Sequence, residues 1–316
     1  MKINVGIVGY GNLGKATEQE ILKNTNYNLV AIFSRRLVSS QFNTTVEPYE
    51  NFKNYTGKID IMFLCGGSLS DLEIQTPEIL QYFDCLNTFD THAKIKSEFE
   101  KLDKIAKKNN NRLIFACGWD PGLFSVTRAL FYAITKQEPV CFWGKGISMG
   151  HSDAIRHVDG VADGVQFTIP NKQAVSLAKK GFADKTTPKH FRECFVVSHD
   201  TNKNNVIEKK IKCMPNYFLN QPTKVTFVSH EKLLQLKKQM SHKGEIFGTS
   251  SDSKIKLSMN VKMQSNPMMT AKILVAYAKA VTNLKKRNTC GAFTPMHIPV
   301  SFLFDEKQTQ LMFSLC

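Results

Sequence analysis

A glycine-rich turn near the start of the chain places the strongest constraint on its fold. The turn reads Gly9-Tyr10-Gly11-Asn12-Leu13-Gly14, follows the apolar run 5–8 and precedes a segment with helical spacing of apolar residues. A second apolar run, residues 29–33, comes next, so the order is strand, turn, helix, strand. In this context a G-x-G-x-x-G motif indicates dinucleotide binding.

Each glycine of the motif has a separate physical task. Gly9 permits the tight turn, Gly11 lets a pyrophosphate approach the backbone, and Gly14 lets helix and strand pack closely. The helix start offers unpaired N–H groups and a positive dipole end to an anion. We therefore predict a pyrophosphate-binding loop that also includes Asn12 and Leu13.

The end of the second strand indicates which dinucleotide binds. An NAD site would carry an acidic residue there for the ribose 2′-hydroxyl, whereas this chain has Ser34-Arg35-Arg36. A hydroxyl and two guanidiniums can hydrogen-bond and pair with a 2′-phosphate. We predict NADP as the cofactor. The alternative is that both arginines are only solvated loop charges.

Strand-like and helix-like segments alternate through the first 118 residues. This alternation predicts an α/β fold whose N-terminal part is a Rossmann-type doubly wound sheet. Ligands bind beyond the carboxyl ends of the strands in such sheets, which makes the segments 66–68 and 118–122 and Asp90 candidates for a site. Further strand-like runs lie at 59–65, 86–89 and 112–117, and helix-like runs extend to about 83 and over 93–109.

The pattern changes beyond Pro121 and indicates a second, more antiparallel α+β region. We predict a first domain over 1–118, with the segment from about 290 to 316 packing back on it, and a second domain over 119–289. The helix-like run 270–284 is also expected to pack against the first domain. Strand-like runs of the second region lie at 142–144, 165–169, 193–197 and 224–228.

The composition is typical of a globular enzyme. The chain has 316 residues, 42% of them hydrophobic, which can bury a sizeable core. Its formal charge of +15 comes from dispersed lysines without interleaved aromatic residues, so nucleic-acid binding is not expected. No apolar run approaches the roughly 18 residues of a membrane span. We predict a cytoplasmic protein without a membrane partner.

The cysteines show no C-x-x-C pair, and several lie in apolar, strand-like runs such as Phe63-Leu64-Cys65. Reduced thiols in the core explain this pattern better than disulfides or zinc. With no histidine cluster either, we predict no metal site. The eight cysteines are residues 65, 85, 117, 141, 194, 213, 290 and 316.

Blocks of sequence along nearly the whole chain match one known family. The most specific are, in order, Gly118-Trp119-Asp120-Pro121-Gly122, Phe142-Trp143-Gly144 and Gly150-His151-Ser152-Asp153. The others are the glycine turn, Ile32-Phe33-Ser34-Arg35-Arg36, Leu64-Cys65 with Gly67-Ser68, Thr88-Phe89-Asp90 with His92, and Cys290-Gly291-Ala292-Phe293-Thr294. Together they resemble the meso-diaminopimelate dehydrogenases. The resemblance implies a homodimer in which an NADP-binding Rossmann domain is joined to a substrate and dimerisation domain.

The resemblance also implies an activity. It is the reversible, NADP-dependent oxidative deamination of the D-configured centre of meso-2,6-diaminopimelate. The products are ammonia and L-2-amino-6-oxopimelate, which cyclises to tetrahydrodipicolinate. In the reductive direction this reaction supplies diaminopimelate and lysine biosynthesis. The family pattern further implies that Cys65, Gly67 and Ser68 contact the cofactor.

Two aspartates match the family positions around the reacting D-centre. A pair of carboxylates near an ammonium can hold it and influence its deprotonation, so Asp90 and Asp120 are the predicted catalytic residues. The plainer alternative is that Asp90 caps the helix near residue 93 and Asp120 belongs to a turn. The resemblance implies that Trp119 and Trp143 wall the pocket and exclude water.

The distal L-centre requires groups that bind a second carboxylate and ammonium. By residue matching, the resemblance assigns this role to Thr168, Arg192, His242 and Asn266. Arg192 can pair bidentately with a carboxylate, and the other three can supply single hydrogen bonds.

The chain departs from the family pattern at one predicted substrate contact. Met149 stands where a glutamine is expected before Gly150, and its thioether cannot donate the amide hydrogen bonds. Asp153 is a further predicted substrate ligand. Its alternative role is to cap a helix that begins near residue 154.

Two other functions remain open at this point. One is an NADP-dependent D-amino acid dehydrogenase of broader specificity, which Met149 favours. The other is a non-catalytic NADP-binding regulator that uses its basic surface to bind an acidic partner. The two predicted catalytic aspartates and the distal set argue against the second.

Overall fold

The computed structural model describes residues 2–182, 187–305 and 308–315. The chain forms two compact units. The first comprises Met1–Val126 and Pro267–Cys316, and the second comprises Thr127–Asn266.

Strands and helices alternate regularly in the N-terminal part of the chain and less regularly after it. The strands are β1 (Ile3–Val8), β2 (Tyr27–Ser34), β3 (Val46–Pro48), β4 (Ile61–Leu64), β5 (Asp84–Asn87), β6 (Arg112–Ile114), β7 (Val140–Trp143), β8 (Gly146–Ile147), β9 (Val161–Pro170), β10 (His190–Ser198), β11 (Thr223–Phe227), β12 (His242–Thr249), β13 (Lys256–Met263) and β14 (Gly291–Phe293). The helices are α1 (Asn12–Lys23), α2 (Leu72–Ile79), α3 (Ile95–Lys108), α4 (Leu123–Thr135), α5 (Met149–Arg156), α6 (Lys172–Lys180), α7 (Asn204–Lys212), α8 (His230–Lys237), α9 (Asn266–Lys286) and α10 (Thr309–Ser314).

The first unit is built on a seven-stranded sheet with the order β14-β6-β5-β4-β1-β2-β3. All of its strand pairs are parallel. The chain runs outward from β1 in one direction through β2 and β3, and in the other through β4, β5 and β6. The strand order therefore reverses between β1 and β4, which is where a doubly wound sheet binds its ligand.

Both faces of this sheet are covered by apolar side chains, as a parallel sheet requires. On one face Val5 and Ile7 of β1 pack in a cluster with Leu274 and Val281 of α9. On the other face Val8 belongs to a cluster with residues of α2 and α3. The helix predicted over 270–284 is α9, and its packing on the first unit is confirmed.

The unit boundaries differ from the predicted domain boundaries, which lay after residues 118 and 289. The chain leaves the first unit within α4 and returns to it at the start of α9. The apolar residues of α9 cover one face of the parallel sheet, and the helix from Pro267 onward belongs to the first unit.

Strand β6 is shorter than predicted, as is β4, which covers Ile61–Leu64 of the predicted run 59–65. The run 112–117 was predicted to be extended throughout, whereas β6 ends at Ile114. Ala116 has a φ of 55°, and a left-handed residue of this kind cannot continue a strand.

The second unit contains two small sheets. A four-stranded sheet has the order β11-β10-β9-β8, and a three-stranded sheet has the order β13-β12-β7. All strand pairs except β10 with β11 are antiparallel, which confirms the predicted change of pattern. Ile155 of α5 and Ile207 of α7 join Cys194 and Val196 of β10 in a buried cluster.

The thiols show no pairing within the part of the chain that the structure describes. Five cysteines are buried, Cys213 is exposed and Cys290 is half-buried, all of them as free thiols. Cys316 lies outside the described residues. Within residues 2–182, 187–305 and 308–315 no helix has the length and apolar character that a membrane crossing requires.

A buried ion pair joins the amino ends of two neighbouring strands. The Asp84 carboxylate of β5 accepts the backbone N–H of Arg112 at 2.8 Å, and the guanidinium of Arg112 lies 3.4 Å away. The side chains are only 4% and 6% exposed, respectively. The guanidinium also donates to the carbonyls of Asn110 and Thr289, at 2.9 Å each, so this pair holds both strands and the loop before β14.

We predict that Arg112→Ala lowers the free energy of unfolding by about 3–5 kcal/mol, because it leaves the Asp84 carboxylate buried without a cation. The control is Lys107→Ala, which breaks the exposed pair with Asp103 at 2.7 Å and should cost less than about 1 kcal/mol. Urea unfolding of both variants measures the difference. Equal losses would contradict the structural role of the buried pair.

Candidate active-site residues

The backbone of the glycine turn is tightly packed at two of its three glycines. Gly9 has a φ of +88°, and a Cβ built on Gly14 would lie 2.1 Å from the carbonyl oxygen of Gly9. A Cβ on Gly11 would meet no atom within 4 Å. The constraints at Gly9 and Gly14 shape the turn, whereas the space beside Gly11 is open.

The start of α1 has the properties of an anion site. Gly11 is the N-cap residue and carries no side chain to accept the first N–H groups, and the first turn contains no acidic residue. The exposed Asn12 and half-buried Leu13 open the helix. The helix N–H groups and dipole can therefore serve a phosphate, and the residues present fit the predicted dinucleotide.

The two arginines after β2 are not equivalent. Arg35 pairs with the carboxylate of Asp71, whereas the exposed Arg36 forms no ion pair with any carboxylate among the described residues. The backbone N–H of Arg36 donates to the hydroxyl of the buried Ser34 at 3.1 Å. Arg36 is therefore the better candidate of the two for a 2′-phosphate, a distinction that the sequence did not reveal.

The loop after β4 is linked to the loop after β5. Burial raises the pKa of the Cys65 thiol to about 12, so this side chain stays neutral. Gly67 donates its N–H to Asp71 at 3.1 Å. The hydroxyl of the buried Ser68 accepts the N–H of Asp90 at 3.0 Å. Predicted cofactor and catalytic residues thus meet at the carboxyl edge of the sheet.

Asp90 does not cap the helix that follows it. Helix α3 begins at Ile95 with Lys94 as its N-cap residue, and Thr91 precedes the short 3-10 helix between them. The capping alternative for Asp90 is therefore wrong. Its half-buried position after β5 is that of a ligand-facing loop residue.

Asp120 lies at the tip of a closed loop. The N–H of Gly118 donates to the carbonyl of Pro121 at 2.8 Å, and the N–H of Leu123 donates back to Gly118 at 3.0 Å. Gly122 has a φ of +128°, and a Cβ there would lie 1.9 Å from the Gly118 oxygen. The loop thus does form a turn, which holds Asp120 half-buried at the start of α4.

The indole of Trp119, in the same loop, is 8% exposed. It packs edge-on against Phe124 with ring centroids 5.2 Å apart, so the side chain has a fixed orientation.

In the second unit, strand pairing brings Thr168 and Arg192 together. The two residues lie directly opposite each other in the β9–β10 register, and a guanidinium N–H donates to the Thr168 hydroxyl at 2.7 Å. The Thr168 hydroxyl also accepts from the amide of the fully buried Gln166 at 3.2 Å. This contact of Gln166 with Thr168 is one that sequence reasoning missed.

Arg192 is a half-buried cation whose Nε is buried and has no hydrogen-bond acceptor among the described residues. Within the described part of the chain no carboxylate forms an ion pair with it. Burial lowers the pKa of Arg192, yet a guanidinium stays protonated in proteins. Since burying an unpaired charge is costly, the geometry suits a carboxylate that comes from a ligand.

His242 and Asn266 lie around the short strand β8. Gly146 of β8 is opposite Thr168, and a Cβ on Gly146 would lie 2.3 Å from the ring of His242. Asn266 donates its amide to the carbonyl of Ile147 at 3.4 Å. The structure therefore places the four predicted distal residues around adjacent strands of one unit.

The imidazole of His242 is held by the backbone, and its protonated form is disfavoured by burial. Its Nδ1–H donates to the backbone carbonyl of Lys243 at 2.8 Å, and burial lowers its pKa.

Helix α5 carries the last two predicted substrate residues. Ser148 is its N-cap residue, so the alternative in which Asp153 caps a helix near residue 154 is wrong. One oxygen of Asp153 pairs with Arg156 at 3.1 Å, while Oδ2 is buried without a donor among the described residues. Met149 opens the helix with 36% of its surface exposed.

Trp143 is held by a histidine that sequence reasoning also missed. Nε2 of His190 accepts the backbone N–H of Trp143 at 2.8 Å, and the two rings stack with centroids 4.9 Å apart. Burial, with a smaller effect of the Arg192 charge, lowers the pKa of His190 to about 3. His190 is the first residue of β10, and nothing in the sequence around it indicates a contact with Trp143.

The described residues contain no group of three or more His, Cys, Asp or Glu side chains that could hold a metal ion.

Comparison with known proteins decides the family. A family model described as the diaminopimelic acid dehydrogenase C-terminal domain matches residues 118–265. The curated meso-diaminopimelate D-dehydrogenase of Acetivibrio thermocellus is 41% identical over 326 residues, which cover 99% of this chain and 98% of that protein. The chain belongs to the meso-diaminopimelate D-dehydrogenase family. The resemblance inferred from separate sequence blocks is thereby confirmed.

Solved structures of this dehydrogenase family have the same fold. An engineered D-amino acid dehydrogenase bound to NADP⁺ superposes with a TM-score of 0.93 at 31% identity, over 99% of both chains. The diaminopimelate dehydrogenase of C. glutamicum in complex with DAP has a TM-score of 0.91 at 32% identity, over 99% of this chain and 98% of that one. The predicted α/β fold class with a Rossmann-type sheet is confirmed.

The burial of His190 predicts that the folded protein loses stability in acid. Below about pH 6.5 the unfolded chain protonates this imidazole, whereas the folded chain does so only near pH 3. Stability is therefore lost as the pH falls below 6.5. We expect the free energy of unfolding to fall by about 2 kcal/mol more in the wild type than in His190→Gln between about pH 7.5 and pH 5.

Denaturant unfolding at the two pH values measures this difference, and the exposed His199 provides the control. His199→Gln should keep the pH dependence of the wild type. A wild-type loss matched by His190→Gln would show that this buried imidazole does not set the pH dependence.

Proposed function

We propose that this chain is an NADP-dependent meso-diaminopimelate D-dehydrogenase. It deaminates the D-centre of meso-2,6-diaminopimelate oxidatively and reversibly, giving ammonia and L-2-amino-6-oxopimelate. The observation that carries the proposal is the half-buried guanidinium of Arg192, whose buried Nε has no hydrogen-bond acceptor and which forms no ion pair among the described residues. A substrate with a second carboxylate supplies that partner, and a simple amino acid does not. Full-length relatives with this activity support the assignment.

The cofactor is NADP. When bound, it accepts the hydride that leaves the D-centre carbon. The turn of Gly9, Gly11 and Gly14 and the start of α1 hold its pyrophosphate. Ser34 and Arg36 bind the 2′-phosphate, with Arg35 as a second cation beside Asp71. The remaining proposed cofactor contacts are Asn12, Leu13, Cys65, Gly67 and Ser68.

Asp90 and Asp120 act on the reacting amine. The amine must lose a proton before the D-centre carbon can give up its hydride, and the hydrolysis of the resulting iminium needs a water that loses a proton as well. A pair of carboxylates holds the ammonium and accepts such protons. We assign the proton transfer to Asp120 and the binding of the ammonium to both residues, and we assign the exclusion of bulk water to Trp119 and Trp143.

The distal centre is bound by Arg192, Thr168, His242 and Asn266. Arg192 pairs with the carboxylate through its Nε and an Nη, which gives a bidentate contact. Asp153 has a buried oxygen without a donor among the described residues and binds the distal ammonium. Met149 packs against the substrate without a hydrogen bond, so the contact that a glutamine would make is absent.

The assembly and location follow from the family alone. We propose that the protein is a homodimer and acts in the cytoplasm, where it serves diaminopimelate and lysine biosynthesis.

The activity is tested by NADPH formation from purified protein at alkaline pH. We expect rapid reduction of NADP⁺ with meso-diaminopimelate, none with the LL isomer, which lacks a D-centre, and little with NAD⁺. Higher turnover of simple D-amino acids would favour the broad-specificity alternative. NADPH binding without turnover of any amino acid would contradict the proposal and favour the non-catalytic regulator.

Replacing the distal cation should weaken substrate binding selectively. We predict that Arg192→Met raises the KM for meso-diaminopimelate about 30- to 100-fold, because it removes charge-assisted hydrogen bonds. The rate with D-lysine, which lacks the distal carboxylate, should change less than about threefold. The control is Lys189→Met at an exposed neighbouring position. Steady-state kinetics decide, and equal losses on both substrates would contradict the carboxylate assignment.

Replacing the proposed proton acceptor should affect turnover and leave the cofactor bound. We predict that Asp120→Asn lowers kcat by about 10²- to 10⁴-fold, with the NADPH dissociation constant within about twofold of the wild type. Asp159→Asn removes a surface carboxylate paired with Lys210 at 3.0 Å and is the control. Near-normal turnover of Asp120→Asn would remove this residue from the mechanism.

A further inference from the structure

One carboxylate of the first unit is completely buried and has not been given a role so far. Glu18 lies on α1, the helix that follows the glycine turn, and is 0% exposed. A buried carboxylate requires hydrogen-bond donors to offset its desolvation. Its two oxygens accept from the hydroxyl of Tyr10 and, at 2.6 Å, from the hydroxyl of Ser40.

The two donors come from the two loops of the proposed cofactor site. Tyr10 lies inside the glycine turn, between Gly9 and Gly11. Ser40 lies in the connection between β2 and β3, residues 35–45, which begins with the two arginines and contains no helix or strand. Glu18 thus joins the pyrophosphate loop to the proposed 2′-phosphate loop.

Ser40 and Tyr10 in turn fix the backbone of that connection. The Ser40 hydroxyl accepts the N–H groups of Phe42 and Thr44, each at 3.0 Å. The N–H of Gln41 donates to the Tyr10 hydroxyl at 2.9 Å. These hydrogen bonds from side chains order the backbone of a segment that has no helical or strand hydrogen bonds.

Order in this loop matters for binding. Fixing the backbone of a flexible segment costs conformational entropy, and a loop that is already fixed does not incur that cost when the ligand arrives. Disorder in this loop would weaken the binding of NADP more than that of NAD, because NAD lacks the phosphate that Arg36 and Ser34 are proposed to hold.

We propose that Glu18 is a positioning residue. Through Ser40 and Tyr10 it holds the connection of residues 35–45, which carries Arg36, in the conformation that binds the 2′-phosphate. It thereby contributes to the preference for NADP over NAD. Glu18 does not touch the phosphate, since both of its oxygens are occupied by hydroxyl donors. This inference rests on the proposed 2′-phosphate role of Ser34 and Arg36.

The test is the ratio of the dissociation constants of NADPH and NADH, measured by fluorescence titration of the full-length protein. Ser40→Ala removes a donor to Glu18 together with the acceptor for two loop N–H groups. We expect it to raise the NADPH dissociation constant about tenfold and the NADH constant less than about twofold. Tyr10→Phe removes the other donor and should shift the ratio in the same direction.

Ser40→Thr retains the hydroxyl and should restore the wild-type ratio, which a merely structural role would not require. Ser39→Ala changes an exposed neighbour and should leave the ratio unchanged. An unchanged ratio in both Ser40→Ala and Tyr10→Phe overturns the inference, as does an equal weakening of both cofactors. A wild type without preference for NADPH would instead overturn the 2′-phosphate assignment itself, and the inference with it.

Discussion

The desolvation of one guanidinium is the constraint on which the chemistry of the second unit depends. Arg192 is half-buried, with its Nε out of contact with water, and no carboxylate within the described residues balances its charge. Neighbouring groups orient it without neutralising it, because the Thr168 hydroxyl, itself held by Gln166, accepts one of its N–H groups. A site built in this way binds an anion tightly and leaves a costly unpaired cation when the anion is missing. In the proposed function, discrimination for a substrate with a second carboxylate follows from that cost.

The first unit is organised differently. Polar groups of its loops form hydrogen bonds and ion pairs with one another. A side-chain to backbone bond of Ser68 with Asp90 joins the loops after β4 and β5, and one of Tyr10 with Gln41 joins the loops after β1 and β2. What remains for a cofactor is the start of α1 and the guanidinium of Arg36. Preorganised loops of this kind favour binding because little order has to be created when the ligand arrives.

The parts of the fold that the sequence predicts are those determined by short-range geometry. The glycine turn is recognisable because Gly9 and Gly14 meet local steric requirements, and the alternating apolar runs indicate the parallel sheet. The position of Arg35 beside Asp71 and the burial of Glu18 depend on contacts between distant segments, which local patterns do not encode. The same holds for His190 under Trp143. The capping role considered for Asp153 is wrong for a local reason, since Ser148 is a competent N-cap five residues earlier.

The most direct test of this account is a crystal structure of the protein with NADP⁺ and meso-diaminopimelate bound. The measured quantity is the distance from Nε and Nη of Arg192 to the carboxylate of the L-centre. The account predicts that both distances lie at about 2.7–3.1 Å, as in a bidentate charge-assisted pair. An ordered substrate whose carboxylates both bind elsewhere, with Arg192 still unpaired, would contradict it.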